Sequence, residues 1–521
     1  MFKLFLPLSI VFLTFFSFLV PVHAQLELVG TEGVLVSREE PDLQVYMDGM
    51  LRLSYNSLGH VVTLDWNRKT DVQDYMGYQY SAGLGATYKE DYKGYIRFAS
   101  YGPTEYDAPV LPYGQVHTIW GDVGEYWGKK LLPRLDEWWI DVPVGPIKTK
   151  TGLFTYSVGT GLALGGYYEQ YGISIYQELD NLTWTFHFDV PDIEHKWYLG
   201  PKLIAEKEPF GITYNSKAYF FAGDISFTVG DHTFQPYIGL LADMTPASRR
   251  TSVYVPAIDQ DYLGTYGAYL QMIFGNLTLE FESAANFGEA HSSDARFSSI
   301  AHQGYFFFTG ASYSMLEETV IPRAKFYWVS GNKFTGDDIG SQQLVHSSNR
   351  EFSVYSPTNS NLADSHYPAF DAGPYVFMGM GYNLNNGILR PNTFYDPYQM
   401  TNIIAPNIGI DVMLSDKLSI SFDYWYLHAQ QPPIGADYDP VNDVYSPYTL
   451  SSDLGNELDL YAEYYVNDYI TFSFLGGIFF PGAYFHTRRG DQDLLGVAAA
   501  PRFDGGASNA WVAEVAVTYS Y

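Results

Sequence analysis

The chain has 521 residues, with 29 lysines and arginines against 58 aspartates and glutamates, a formal net charge of −29, and no cysteine. The acid excess argues against a nucleic-acid partner, because such binding depends on neutralising phosphates with Lys and Arg. The missing thiols exclude disulfides, thiolate metal sites, covalently attached c-type haem and cysteine nucleophiles within this polypeptide. Aromatic residues reach 17% while charged residues also stand at 17%, a mixture that suits apolar girdles around a polar interior.

Residues 1–24 read as a secretory signal: Lys3 opens it, an apolar run follows, and Val22-His23-Ala24 approximates a small-x-small cleavage site. No later run approaches the length of a membrane-spanning helix, so any membrane reading rests on strands. The acidic stretch 25–42 shows no sustained alternation and reads as a short periplasmic lead-in. Alternation then begins, with Leu43, Val45, Met47, Leu51 and Leu53 opposing Gln44, Tyr46, Asp48, Arg52 and Ser54.

From there the connections fall into two classes. Short turns are expected near Glu90-Asp91, at 143–146, 179–181, Gly230-Asp231, Gly275-Asn276, 316–318, Ser415-Asp416 and Asn467-Asp468. Each consecutive pair of turns encloses one strand, one longer irregular stretch and a second strand. Eight short turns, with both termini on their side, predict 18 strands. The expected fold class is therefore all-β: a transmembrane antiparallel up-and-down β-barrel over 43–521. The last stretch, W-V-A-E-V-A-V-T-Y-S-Y, puts Trp511, Ala513, Val515, Val517, Tyr519 and Tyr521 on one face and Glu514, Ala516, Thr518 and Ser520 on the other. Its aromatic ends suit the two interfaces of a bilayer. It resembles the terminal strand of Gram-negative outer-membrane barrels, which implies that Tyr521 is read by the barrel-assembly machinery.

The long stretches are 102–133, 159–171, 191–215, 242–261, 286–302, 331–401, 429–453 and 481–508. The seventy-residue stretch 331–401 exceeds a plain connector and is expected to fold into the mouth as a constriction. Asp337-Asp338 lack the spacing of a calcium loop, and Arg488-Arg489 beside Asp491 and Asp493 suit a loop ion pair or lipopolysaccharide phosphates. His187 with Asp189 could belong to a hydrolase, yet neither G-x-S-x-G nor H-E-x-x-H occurs. No enzyme activity, metal or cofactor is expected.

Alternation assigns the lumen its charges. The bases are Arg52, Lys93, Arg97, Lys148, Lys150, Arg323 and Lys325. The acids are Asp48, Glu137, Asp141, Asp224, Glu280, Glu282, Asp411, Asp423, Glu457, Asp459, Glu463 and Glu514. A charge facing lipid near the midplane costs up to roughly 2 to 4 kcal/mol, so these side chains are expected to line the pore. Bases gather in early strands and acids in the closing ones. Such rows either pair to stiffen the wall or set a field across the pore.

Residues 453–485, with G-N-E-L-D-L and then F-F-P-G, resemble the late hairpin of the alginate export family of 18-stranded outer-membrane porins. D-E-W-W-I-D-V and G-T-G-L-A-L-G, within 135–166, resemble that family's early strand pair. The resemblance implies an outer-membrane channel for passive passage of a polysaccharide or other hydrophilic solute. Twelve acids against seven bases depart from that family's arginine-rich pore. The alternative is a barrel sheathing a partner multihaem cytochrome. Expected partners are outer-membrane lipid and lipopolysaccharide, the barrel-assembly machinery, and a periplasmic export or cytochrome partner.

Overall fold

The computed structural model describes residues 26–28, 34–37, 43–59, 72–89, 91–101, 134–165, 170–190, 218–243, 258–292, 300–331, 351–352, 382–383, 390–391, 402–432, 434–439, 444–449, 451–487 and 509–521. Eighteen strands form one closed antiparallel barrel in which each pairs with its neighbours in sequence. They are β1 (Leu43–Gly59), β2 (Val72–Tyr88), β3 (Tyr92–Tyr101), β4 (Arg134–Val144), β5 (Ile147–Phe154) and β6 (Gln170–Leu179). Next come β7 (Leu182–Val190), β8 (Ala218–Val229), β9 (His232–Asp243), β10 (Ile258–Phe274), β11 (Leu277–Ser292) and β12 (Tyr305–Tyr313). The last six are β13 (Val320–Val329), β14 (Ile403–Ser415), β15 (Leu418–Ala429), β16 (Asp453–Asn467), β17 (Ile470–Pro481) and β18 (Ala510–Ser520).

The sequence-based count of 18 and all eight short turns agree with this topology. Gly230 and Gly275 open their two-residue hairpins with φ of 60° and 58°, a conformation that a side chain strains and glycine adopts freely. Leu316, Glu317 and Glu318 instead carry φ of 50°, 54° and 69° without being glycine, in the one broad turn of the set.

Closure is direct. β18 runs antiparallel to β1 from Trp511 opposite Gly59 to Ser520 opposite Met50, and Tyr521 and Gly49 then exchange both backbone hydrogen bonds at 3.0 Å. The Tyr521 ring lies where a side chain on residue 49 would stand. β1 continues past this point, and strand Val34–Ser37 takes up the same edge opposite Gln44–Tyr46, with Leu26–Leu28 pairing in turn on it. The lead-in thus contains two short strands that its sequence pattern does not announce. Another small addition lies at the far end, where 301–302 pair in parallel with 351–352.

Outward positions are apolar and exposed: Met47, Leu51, Leu53 and Tyr55 on β1, Phe422 and Tyr424 on β15, Phe472 and Phe474 on β17. Arg52, Asp423 and Glu514 lie on the opposite parity and point inward. The Arg52 guanidinium bonds Glu514 across the closing pair of strands. With the Glu514 side chain 4% exposed, removing its cation strands a buried carboxylate. Arg52→Ala should destabilise the folded barrel by about 3 kcal/mol, read as a lower urea midpoint. The double change Arg52→Met with Glu514→Leu should recover most of that loss.

Candidate functional site

The inner face changes character along the strands. Toward the short turns and at mid-height it carries the charged residues named from the sequence. Toward the long connections it is apolar, with Phe306, Phe308, Tyr327, Leu427 and Phe479 all buried in one cluster. This corrects the expectation of a lumen polar throughout. The cause is visible within the described residues: pieces of chain fold inward and need an apolar seat.

One such piece is 155–165, most of which belongs to the long stretch 159–171 expected from the sequence. It forms a two-bridge hairpin, Ser157–Val158 against Leu164–Gly165, and Val158, Leu162, Ala163 and Leu164 join the apolar cluster. Polar bonds fix it to three strands. Tyr156 donates to Asp224 of β8 at 2.7 Å, and the Gly159 N–H donates to Gln235 of β9 at 3.1 Å. Thr160 donates its backbone N–H at 3.1 Å, and also its hydroxyl, to Glu282 of β11. Leu164 occupies the space above Gly239 that any side chain there would fill. Beyond β17, the short helix α1 (Ala483–Thr487) buries Tyr484 and Phe485 in the same cluster, with Phe485 edge-on to Phe479. The expected constriction at 331–401 and the Arg488, Asp491 and Asp337 groups lie almost wholly outside the described residues.

The charges sort by partner. Arg97 pairs with Glu137 at 3.2 Å, Lys148 with Glu178 at 2.7 Å, Arg52 with Glu514, and Arg323 with both Asp411 and Asp423. Lys150 lies over the rings of Trp139 and Phe154, 4.3 and 4.7 Å from their centroids. Lys93 is exposed near the short turns, in register with Asp141, and Lys325 stands two residues beyond Arg323 on the same parity. Most other acids meet phenols. Tyr95 donates to Asp48 at 2.9 Å, Tyr176 to Asp141 at 2.5 Å, Tyr269 to Glu280 at 2.7 Å and Tyr237 to Glu282 at 2.7 Å, while Tyr461 and Tyr465 both donate to Glu463. A phenol satisfies a carboxylate lone pair without cancelling its charge.

Inward placement is not the same as contact with water. Glu282, Asp423, Glu457, Asp459 and Glu514 are at most 3% exposed and are enclosed by protein. Partly exposed acids on the wall include Asp48, Glu137, Asp141, Glu280, Asp411 and Glu463.

His187 and Asp189 belong to a buried constellation. Ser174 Oγ lies 2.8 Å from His187 Nδ1, and His187 Nε2 lies 3.0 Å from Asp189 Oδ2. All three are buried, and the Tyr156 ring stacks on the imidazole at 4.3 Å and 5°. A nucleophile must reach a carbonyl and have a base within reach; this serine is 6% exposed, and the Tyr156 ring covers its imidazole partner. The cluster seats Tyr156. The sequence exposes His187 and Asp189 as neighbours on one strand face, whereas Ser174 joins them only through the β6–β7 register.

Loss of the Glu282 carboxylate should free the hairpin. In a chain without natural cysteine, a Leu162→Cys reporter should react slowly with a maleimide, and about tenfold faster when Glu282→Ala removes the charge-assisted bonds to Thr160. Equal rates would mean that apolar seating alone holds the segment.

No protein-family model matches the chain, and no curated protein matches it in sequence. Among solved structures it is similar to OccK11 (OpdR) of Pseudomonas aeruginosa at 10% identity and a TM-score of 0.45, covering 91% of this chain and 95% of that one. It is also similar to a BenF-like porin from Pseudomonas fluorescens Pf-5, at 10% identity and 0.43, covering 91% and 98%. An anion-selective porin from Comamonas acidovorans aligns at 8% identity and 0.38, covering 92% and 100%.

Proposed function

We propose that this chain is an outer-membrane channel for passive passage of hydrophilic solutes. The observation that carries the reading is a closed 18-stranded sheet whose outward positions are exposed and apolar while its inward positions hold paired and phenol-bound charges. A lipid environment requires every strand hydrogen bond to be met within the sheet, which closure supplies. Lipid and lipopolysaccharide are then its surroundings, and the aromatic-ended β18 is the element for the barrel-assembly machinery to read. The alginate-export resemblance fits the scaffold, but a polyanionic cargo fits the wall poorly. Arg52, Arg97 and Arg323 are engaged with acids, and several of the wall's partly exposed carboxylates meet only uncharged donors among the described residues. A cytochrome sheath is weaker still, since 155–165 and α1 occupy interior space that an insert would need.

A modest preference for cations follows, because uncancelled wall charge acts where screening is weaker than on an open surface. In a planar bilayer under a KCl gradient, the reversal potential should report cation selectivity. Asp141→Asn, Glu280→Gln and Glu463→Gln together should move it toward anions. A chloride-selective native channel, or a triple variant with unchanged selectivity, would overturn the charge assignment; a folded barrel that passes no current would overturn the channel reading.

A further inference from the structure

One row of cross-strand partners on the inner face runs Tyr46 (β1), Gly85 (β2), Tyr95 (β3), Trp139 (β4), Gly152 (β5). All three aromatic side chains are partly exposed to the interior. Tyr46 and Tyr95 stack with centroids 6.3 Å apart and planes 17° from parallel, and Tyr95 meets Trp139 at 5.9 Å and 32°. Glycine makes this possible: the Tyr46 ring lies over Gly85 and the Tyr95 hydroxyl over Gly83, in space that any side chain at those positions would claim. The result is a continuous strip of rings laid along the wall instead of standing out from it.

We infer that this strip is a binding track for a neutral, hydroxyl-rich solute, an oligosaccharide, and the inference rests on the channel reading above. Three features single out that chemistry. Flat, partly exposed rings in a row offer faces against which the C–H surfaces of sugar rings pack while water leaves both, one face of Trp139 being taken by the Lys150 ammonium. The strip is bordered by fixed hydrogen-bonding groups: the Arg97–Glu137 pair, the Trp139 Nε1–H held on Glu137 at 2.8 Å, and Asp48 held by Tyr95 at 2.9 Å. Such groups bind hydroxyls from the side. Around it Lys93, Arg97 and Lys150 balance Asp48, Glu137 and Asp141, so the local field favours neither a polyanion nor a polycation. That balance contrasts with the acid-rich wall of β14 to β18.

The test uses single channels of the full chain in planar bilayers, with maltohexaose and cellohexaose as neutral probes and an acidic hexauronate as comparison. A neutral hexasaccharide should interrupt the ion current in a concentration-dependent way, and more strongly than the hexauronate. Trp139→Ala should weaken the block about tenfold, corresponding to the loss of one ring face. Trp139→Phe and Tyr95→Phe keep their rings and should keep the block, which separates lost stacking from disturbed folding. A conducting channel that neither neutral sugar blocks, a stronger block by the hexauronate, or an equal block in Trp139→Ala would overturn the assignment while leaving the channel reading intact. If the barrel passes no current, calorimetry of the detergent-folded protein with the same sugars decides, and equal heats for native and Trp139→Ala overturn the track.

Discussion

Closure of the sheet is the constraint from which the rest follows. An open sheet of this length would leave a row of unpaired N–H and C=O groups on each edge, which lipid cannot satisfy. The β18–β1 pairing removes both edges at once. With the wall closed, strand alternation has only two destinations, outside and inside, and every side chain is committed to one. The apolar exterior and the charged interior are two readings of the same two-residue period.

Inside, the chain handles its charge in an uneven way. Among the described residues, Arg52, Arg97 and Arg323 are each engaged with a carboxylate, and Arg323 holds two. Tyrosine serves many of the remaining acids. A phenol costs little to bury, stiffens a carboxylate through a short bond and leaves its field in place. This gives the tyrosine abundance a purpose beyond interfacial girdles: one set of rings anchors acids, while Tyr46 and Tyr95 also form part of a continuous surface. The apolar upper interior answers a separate need, the seating of inward-folded chain.

The barrel was largely legible in the sequence, for local reasons. Turn chemistry at Gly230-Asp231 and Gly275-Asn276 depends on residues beside one another, and the alternation of Leu418 through Tyr426 needs no knowledge of partners. The parity of Arg52, Asp423 and Glu457 came with it. Burial did not, because whether Glu457 meets water depends on what else occupies the interior. The 155–165 hairpin was hidden for the same reason. G-T-G-L-A-L-G resembles part of a strand pair in sequence, whereas a carboxylate on β11 and a bare glycine on β9 hold it inside the barrel. Ser174 and the aromatic row were invisible until the register placed residues from separate strands side by side.

The shared edge of β1 carries a further consequence. Its upper stretch is matched by the latest strand of the barrel and its lower stretch by one of the earliest, Val34–Ser37. A single strand therefore acts as a ruler against which both are measured, and any slip of β18 along it would approach, or draw away from, the strand beside its lower stretch. Met47 and Asp48 lie between Gly49, which pairs with Tyr521, and Tyr46, which pairs with Val34. A slide of β18 by two whole pleats toward the start of β1, which would preserve the inside-outside pattern, would therefore meet backbone already paired there. The small N-terminal strand thus bounds how far β18 can slide along β1 in that direction.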